Sequence, residues 1–402
     1  MTDDYSTRIG QFITTTTLGE AVRAYVPKPL PPNPPIRIET FYPLLDAANQ
    51  ALGRLDGLQA ILPDVNMLLY FYNRREAVLS SQIEGTQSSL SELLLFENHL
   101  LQGDSDAEEV SNYVAAMEHG LGRIRSGFPL SNRLLREMHE VLLRSGRGSD
   151  KTPGEFRKSQ NWIGGTRPGN AVYVPPPVEE MLETMSNLEK FLHRDSGHLP
   201  LLIDAALAHV QFESAHPFLD GNGRIGRLLI TLLLCERQVL KTPSLYLSLY
   251  FKEKRDQYYN LLQKVRLEGD WEAWVEFFLV GVRETADQAC ATAVAVRDLF
   301  EFDESRIRLI PRSGSMINVH VYLEHRPITT LQQVSEGTGL TLATVAKAME
   351  QLQALGVAEE VTGRRRDRIF AYANYLDLLN EGTGPSIISK QSKVSSSQTP
   401  RK

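Results

Sequence analysis

Apolar residues recur three and four positions apart over most of the first 300 residues, which is the period of an amphipathic α-helix. The pattern is helical from about Tyr42 to Arg144 and again from Val178 to about Phe300. Within the first region, Gly85 follows the helical run VNMLLYFYNRREAVLSSQIE as a candidate C-terminal cap, and Ser131 precedes another helix as a candidate N-cap. The chain is therefore predicted to be mainly helical.

One segment between the two helical regions has a different pattern. Residues 151–178 contain two short β-prone runs, Asn161–Ile163 and Ala171–Val174, separated by a turn rich in Gly, Pro and Asn. This pattern predicts a β-hairpin.

The region from about Phe302 to Asn380 has a third pattern. Its first half, TTLQQVSEGTGLTLATVAKAMEQLQALG, predicts a helix, a glycine turn and a second helix. Its second half, VAEEVTGRRRDRIFAY, predicts two strands around a basic turn. A helix-turn-helix followed by a two-stranded wing is a winged-helix arrangement. The tail from Gly382 to Lys402 is rich in Ser, Lys and Gln, so it is predicted to be disordered.

Composition narrows the class of protein but not its function. The 402 residues carry a net charge of -6, which gives no global reason to expect nucleic acid or an anionic membrane as the partner. Two cysteines, Cys235 and Cys290, are too few for a disulfide framework or a four-thiolate zinc site. The acidic, polar N-terminus does not resemble a signal peptide, and no apolar run is long enough to cross a bilayer. We therefore expect a cytoplasmic protein that does not bind membranes.

The stretch GNGRIG, residues 221–226, has the G-x-G-x-x-G spacing of a dinucleotide-binding turn. Such a turn needs a strand before it, but the preceding LPLLIDAALAHVQFESAHPFLD has a helical period and lacks the Val and Ile density of a parallel strand. No acidic residue ends a second strand about twenty residues further on. The dinucleotide interpretation therefore fails, and the chain has no G-x-x-x-x-G-K-[ST] phosphate loop either.

A helix, a tight loop at Gly221–Gly223 and a helix starting near Arg224 fit this stretch better. Backbone N–H groups in such a loop and at a helix N-terminus attract anions. The structural alternative is a capped helix with a solvated arginine face. Five polar residues within twelve positions favour an anion site instead: His216, Asp220, Asn222, Arg224 and Arg227.

The string HPFLDGNGRIGR, His216 to Arg227, resembles the Fic family motif H-P-F-x-[DE]-G-N-G-R-x-x-R at every fixed position. The segment PGEFR at 153–157 and the hairpin before YVPPP resemble the parts that precede the core in Fic proteins. SSQIEG, with Ser80 and Glu84–Gly85, resembles the inhibitory motif [ST]-x-x-x-E-[GN] of the class with an N-terminal inhibitory helix. The resemblance covers roughly residues 10–300.

This resemblance implies an all-α Fic-type helical core with a small β-hairpin flap, joined to the C-terminal winged-helix domain. The implied division is an N-terminal helical region with the inhibitory motif (1–105), the Fic core (106–300), the winged-helix domain (301–380) and a disordered tail (381–402).

The implied activity is transfer of AMP from ATP to a Ser, Thr or Tyr hydroxyl of a protein, including the enzyme itself. His216 would accept the hydroxyl proton, since an ordinary imidazole titrates near pH ~6.5. Asp220 would hold Mg²⁺, and Arg224 and Arg227 would grip the β- and γ-phosphates. Gly221 to Gly223 would offer backbone N–H groups. The implied ATP-site residues are Glu84, Ile163, Gly164, Gly165, Thr166, Asp220, Gly221, Asn222, Gly223, Arg224, Arg227, Tyr258 and Tyr259.

The 161–174 flap would hold the target segment by main-chain pairing around Ile163–Thr166. Tyr258 or Tyr259 would wall the adenine, although both could equally pack in the core or at its rim. Glu84, steadied by Ser80 one turn earlier, would pair with Arg227 and keep ATP from binding productively. A solvent-facing glutamate at a helix end is the structural alternative.

Several alternatives remain open at this point. A Fic-type enzyme could use another nucleotide or could mainly remove AMP. The basic residues of the C-terminal region (Lys347, Arg364, Arg365, Arg366 and Arg368) could bind DNA, which would make the chain a regulator with a nucleotide-sensing core. The predicted recognition helix is poor in base-reading side chains, so protein docking or a homodimer contact is an equal alternative for this region.

Overall fold

A computed structural model of the chain describes residues 5–58, 65–100, 105–194, 199–364 and 366–383. The helices are α1 Tyr42–Gly57, α2 Val65–Ile83, α3 Leu90–Glu97, α4 Ser105–Arg125, α5 Asn132–Leu142, α6 Val178–Leu192, α7 Leu201–Ala215, α8 Asn222–Glu236, α9 Ser248–Glu253, α10 Arg255–Glu268, α11 Trp271–Arg308, α12 Gly314–His325, α13 Leu331–Thr338, α14 Leu342–Ala354 and α15 Ala373–Asn380. The strands are β1 Gln11–Thr17, β2 Glu20–Val26, β3 Ile328–Thr330, β4 Glu359–Glu360 and β5 Ile369–Ala371.

Helix α7 lies at the centre of the helical core. Every residue from Leu202 to Ala215 except Asp204 is buried, because the helix is apolar on nearly all sides. Helix α8 packs against it, and α4 and α2 continue the layer. The predicted caps are confirmed: Gly85 follows α2 with φ 99°, and the Ser131 side chain accepts a hydrogen bond from the Leu134 N–H. The central pair α7–α8 is the scaffold for loop 216–227.

The longest helix, α11, spans 38 residues and packs along α1. It continues beyond residue 300, so the division predicted at 300/301 lies within a continuous helix. Among the described helices, none combines the length and the apolar character that a membrane-spanning segment needs.

The N-terminal region predicted to be helical (1–105) also contains two strands, at residues 11–26. Strands β1 and β2 form an antiparallel hairpin that turns at Leu18 and Gly19, both with positive φ. On its inner face, Val22 and Ala24 pack with Val174 in a small apolar cluster. The Tyr25 N–H also donates to the Val174 carbonyl at 2.9 Å, so the hairpin is joined to the flap by a backbone hydrogen bond.

The hairpin predicted over 161–174 is reduced to one antiparallel bridge between Ile163 and Tyr173. Between these residues the chain does not continue as paired strands. Gly164 and Gly165 both have positive φ. The Asn170 Oδ1 accepts hydrogen bonds from the N–H groups of Thr166 and Arg167 at 3.0 Å each. These local bonds satisfy the backbone without a strand ladder.

The described C-terminal elements include the predicted helix, glycine turn, helix and two strands in that order, with an unpredicted strand, β3, before α13 and an unpredicted helix, α15, after β5. Helices α13 and α14 are separated by Gly339, and the three strands form one antiparallel sheet in the order β3-β5-β4. Arg365 of the basic turn and residues 384–402 of the predicted tail lie outside the described residues.

Candidate active site

His216 is the residue at which helix α7 ends, and it has the left-handed conformation with φ 46° and ψ 60°. A non-glycine residue in this region is strained, so the surroundings must hold it. Buried Arg157 does so, because its Nε donates to the His216 carbonyl at 3.0 Å. The Arg157 N–H donates to the Pro217 carbonyl at 2.8 Å. The segment 153–157 therefore fixes the backbone that carries His216.

The imidazole of His216 is uncharged at neutral pH. Burial lowers its pKa to about 3, and the nearby Arg266 and Arg157 cations act in the same direction. A neutral imidazole is the protonation state that a general base needs.

The side chain of Asn222 holds loop 216–227 together from the inside. Its Oδ1 accepts from the Phe218 N–H and its Nδ2 donates to the Phe218 carbonyl, both at 2.8 Å. Phe218 is fully buried and stacks on the His139 ring at 3.8 Å between centroids. The Asn222 side chain is thus occupied within the loop, which leaves only its backbone N–H for the predicted phosphate contact.

Asp220 is held at its backbone by His139. The Gly154 N–H donates to His139 Nδ1 at 2.9 Å, so Nε2 carries the ring hydrogen and donates to the Asp220 carbonyl at 3.0 Å. One carboxylate oxygen, Oδ1, accepts from the Gly221 N–H at 2.6 Å. The carboxylate itself stays one-third exposed, at 32%.

Each of the three glycines of GNGRIG is required for a different structural reason. Gly221 has φ 75° and is the N-cap of α8, which begins at Asn222, slightly before the predicted start near Arg224. At Gly223, a Cβ would lie 2.2 Å from Glu84 Oε1. At Gly226, a Cβ would lie 2.4 Å from Glu213 Oε1, so the glycine permits close packing of α8 against α7. The first N–H groups of α8 have no carbonyl partner within their own helix and point out of its N-terminus.

Arg224 is completely buried and is paired with Glu109 of α4. Its Nη1 donates to Glu109 Oε1 at 2.6 Å, and its Nη2 lies 3.5 Å from Asp220 Oδ1. Arg147 binds the same Glu109 carboxylate at 3.0 Å. Helix α4 therefore fixes the position of the Arg224 guanidinium.

Arg227 faces the end of helix α2. Its Nε donates to Ser80 Oγ at 2.7 Å, and its Nη2 donates to the Ser80 carbonyl at 2.9 Å and to Glu84 Oε1 at 2.8 Å. The Arg227 side chain is 2% exposed and that of Glu84 is 29% exposed. The predicted pairing of Glu84 with Arg227, supported by Ser80, is thus present in the geometry.

Charge reinforces this pair. Burial acts to raise the pKa of Glu84, but Arg227, together with Arg224 and His216, lowers it below the ordinary value. Burial acts to lower the pKa of Arg227, but the Glu84 carboxylate, together with three nearby tyrosines, raises it above the ordinary value. Glu84 also interacts electrostatically with Arg224 and His216. One carboxylate is therefore close to the cations and the imidazole of loop 216–227.

The flap residues Ile163 to Thr166 lie at the surface, with Gly164, Gly165 and Thr166 exposed. The two tyrosines differ in position. Tyr258 is 1% exposed, with its hydroxyl 2.8 Å from His209 Nε2, so it is a core residue and cannot wall a nucleotide. Tyr259 is 41% exposed and interacts electrostatically with Glu84 and Arg227, which leaves it as the tyrosine that borders the site.

Four residues that shape the site had no role assigned from sequence: Arg157, His139, Glu109 and Glu213. Arg157 belongs to the PGEFR segment at 153–157, whose resemblance to Fic proteins could have indicated a role for it. His139, Glu109 and Glu213 are single polar residues within helices, and nothing in their local sequence indicates a distant partner.

The described residues supply too few ligands to bind a magnesium ion without a nucleotide. Among them, no group of three or more His, Cys, Asp or Glu side chains could hold a metal. Asp220 is a single, partly exposed carboxylate. Mg²⁺ is commonly bound by one or two carboxylates together with substrate phosphates and water, so Asp220 fits a metal that arrives with a nucleotide.

Comparison with known proteins identifies two domains. Residues 42–122 match the Fic/DOC family N-terminal domain, and residues 129–234 match the Fic/DOC family domain. The protein adenylyltransferase Fic of Drosophila grimshawi is 28% identical over 248 residues, which is 60% of this chain and 47% of that protein. Its Drosophila melanogaster counterpart is 27% identical, with 60% and 46% covered. The chain thus spans about half of the length of these curated relatives.

Two solved structures share the fold. A Fic family protein from Desulfovibrio desulfuricans aligns with a TM-score of 0.53 and 20% identity, covering 82% of this chain and 96% of that one. A Fic domain containing signaling protein from Bacteroides thetaiotaomicron aligns with a TM-score of 0.50 and 21% identity, covering 62% and 97%. The mainly helical architecture around α7 and α8 is therefore the fold of these proteins.

Proposed function

Since the chain belongs to the Fic/DOC family, with both of its domains present, we propose that it is a protein adenylyltransferase that transfers AMP from ATP to a protein hydroxyl. The observation that carries this proposal is loop 216–227, where a neutral imidazole, a partly exposed carboxylate and a helix N-terminus lie together. The adenylyltransferase names of the relatives support the same reaction.

In the proposed reaction, the target hydroxyl oxygen bonds to the α-phosphorus of ATP while the bond to the β-phosphate oxygen breaks. His216 takes the hydroxyl proton, and diphosphate leaves. A bound triphosphate adds negative charge next to the imidazole, which raises its pKa from about 3 and improves it as a proton acceptor. Arg157 keeps the imidazole aimed by holding the His216 carbonyl.

The phosphates would lie at the N-terminus of α8, where Glu84 Oε1 now takes the space beside Gly223 and would have to move away. Arg224 and Arg227 would supply the positive charge for the β- and γ-phosphates. Asp220 would hold Mg²⁺, which would offset the charge of the leaving diphosphate. Tyr259 would border the adenine.

We further propose that the protein is autoinhibited. Glu84 Oε1 accepts a hydrogen bond from Arg227 Nη2 at 2.8 Å. The γ-phosphate would need the same guanidinium. The target protein, or a second copy of this chain, would dock by main-chain pairing on Ile163–Thr166, because β2 already bonds to Val174 on the far side of the flap.

The proposed C-terminal module is a winged helix built from α12, α13, α14 and the β3-β5-β4 sheet, and it begins after α11 ends at Arg308. The exposed face of α14 presents Leu342, Lys347 and Glu350, a mixture that favours contact with a protein over contact with DNA. Binding of duplex DNA that weakens steeply with salt would instead favour the DNA-binding alternative.

The test is incubation with α-labelled ATP and magnesium. We expect Glu84→Gly to increase self-labelling by about tenfold or more, since a charge-assisted hydrogen bond of about 1.5–3 kcal/mol would no longer compete for Arg227. Glu268→Gly is the matched control, because Glu268 is also a helix-end glutamate before a glycine with positive φ, but it is exposed and lies outside loop 216–227. His216→Ala in the Glu84→Gly protein should abolish labelling.

Labelling that persists without His216 would refute the assigned base. Equal labelling by the parent and Glu84→Gly would refute autoinhibition. Parallel reactions with labelled GTP, CTP and UTP, and with protein already carrying labelled AMP, separate the alternatives of another nucleotide and of AMP removal.

A further inference from the structure

The segment Asn380–Thr383, here called the strap, lies against the end of helix α2. It follows α15, which packs on α2, α3 and α11. Thr383 is 1% exposed and Asn380 is 4% exposed, although both are polar. Asn380 Nδ2 donates to Ser91 Oγ of α3 at 3.0 Å, and Thr383 Oγ1 donates to the Asn380 carbonyl at 2.9 Å. The strap is therefore anchored at both ends by buried polar residues, while Glu381 and Gly382 between them are exposed.

Three successive carbonyls of the strap are each held by a side chain from the catalytic half of the molecule. Arg75 of α2 donates to the Glu381 carbonyl. Lys252 of α9 donates to the Gly382 carbonyl at 2.8 Å. Gln82 of α2 donates to the Thr383 carbonyl at 2.7 Å. Side chains from two separate helices thus converge on four residues of backbone.

Gln82 connects the strap to the turn that carries Glu84. Its Nε2 also donates to the Ser88 carbonyl at 2.8 Å, and its Oε1 accepts from Lys252 at 2.6 Å. Gln82 and Ser88 lie on either side of Glu84 in the sequence, so this one amide holds both ends of the turn. Displacing the strap removes one of its bonds and loosens Lys252.

We propose that the strap holds Glu84 on Arg227, with Gln82 and Lys252 as its positioning residues. The proposal rests on the proposed autoinhibition and extends it to the C-terminal region. Because the strap continues α15, a partner that pulls α15 away from α2 releases Glu84 and activates the enzyme.

The first test measures amide hydrogen exchange at Glu84, Gly85 and Thr86, whose N–H groups donate to Ser81 and Gln82 carbonyls. Lys252→Met removes the cation that bridges Gln82 and the Gly382 carbonyl. Amide exchange at residues 84–86 should then become about tenfold faster. Lys254→Met is the matched control, because Lys254 is also a lysine next to α9, is exposed, and places its ammonium over the Tyr250 ring, away from Gln82 and the strap. In the Lys254→Met protein, amide exchange at residues 84–86 should equal that of the parent.

A second pair of variants reaches the same contact from the strap side. Gly382 has φ 80°, and a Cβ there would lie 2.3 Å from buried Leu249. Gly356 has φ 70° with nothing within 4 Å, so Gly356→Ala carries the same backbone strain without the clash. We expect faster exchange at residues 84–86 in Gly382→Ala and not in Gly356→Ala.

Activity then shows whether the strap acts through Glu84. Lys252→Met and Gly382→Ala should each raise self-labelling severalfold in the parent and add nothing in the Glu84→Gly protein. An equal increase in both backgrounds would overturn the proposal, and so would exchange at residues 84–86 that matches the controls. If exchange responds but Glu84→Gly does not activate, the strap contact stands and the proposed autoinhibition fails.

Discussion

Asn222 lies at the middle of loop 216–227, yet its side chain turns into the protein. The two hydrogen bonds to the Phe218 backbone close the loop, and Asn161 adds a third by donating to the Phe218 carbonyl at 2.9 Å. The conformation that presents Asp220 and the N-terminus of α8 thus depends on a side chain with no free polar group for a ligand.

Asn222→Ala leaves the Phe218 N–H buried without its acceptor. We expect a loss of about 1–3 kcal/mol in the free energy of unfolding, the cost of one buried unsatisfied group, measured by urea denaturation. Labelling activity should fall as well, because the loop loses its closure. Asn170→Ala in the exposed flap is the control, and a comparable destabilisation there would argue against a special role for Asn222.

The part of the site that sequence could predict is the part contained in one short stretch. His216, Asp220 and Arg227 follow one another in a loop, so a local motif identifies them. Arg227 and Glu84 are 143 residues apart, and only a second motif connected them. Glu109 and His139 belong to no motif, and their contacts with Arg224 and Asp220 arise from helix packing that single-residue patterns do not encode.

Among the elements, the β1–β2 hairpin is the one that the helical interpretation missed. The signal was present in QFITTTTLGEAVRAYV: a run of β-branched residues, a glycine turn, and then alternation with Val22 and Ala24 inward. Its short length and few apolar residues gave a weak pattern. The flap was overpredicted for the opposite reason, because Asn170 and two glycines satisfy the backbone of a β-prone stretch locally.

The hairpin should stabilise the flap. Ala24 is fully buried against Val174, so Ala24→Asp places a charge in this contact and should detach β2 from the flap. We expect faster amide exchange at Ile163, Val172 and Tyr173, whose N–H groups form the flap's own bonds. Thr14→Asp changes an exposed residue of β1 and is the control. Unchanged exchange in Ala24→Asp would mean that the flap holds its shape without the hairpin.

Over the whole molecule, the helical class and the order of the C-terminal elements followed from periodicity, because α7, α11 and α14 are long and regular. What periodicity could not predict is which polar groups the assembled core encloses. Glu213 is such a group: it is 7% exposed, and its Oε1 has no hydrogen-bond partner among the described residues. Its position beside Gly226 exists only once α7 and α8 are packed together.

Glu213 should therefore make the stability of the whole fold depend on pH. Burial raises its pKa from 4.5 to about 7, although Arg227 acts to lower it. Between these two values the folded protein keeps a proton that the unfolded chain has lost, so Glu213 reduces stability as pH rises through this window.

Gln cannot ionise, so the Glu213→Gln protein does not lose stability through this group as pH rises. Its free energy of unfolding, relative to the parent, should rise from pH 5 to pH 7 by at most ~1.4 kcal/mol per pH unit. Urea denaturation of both proteins at several pH values measures the difference. Glu84→Gln is the contrasting variant: the folded pKa of Glu84 lies below its ordinary value of 4.5, so its difference from the parent should stay constant above about pH 5.5. A flat difference for Glu213→Gln would mean that the carboxyl ionises inside the fold, with Arg227 as its counter-ion.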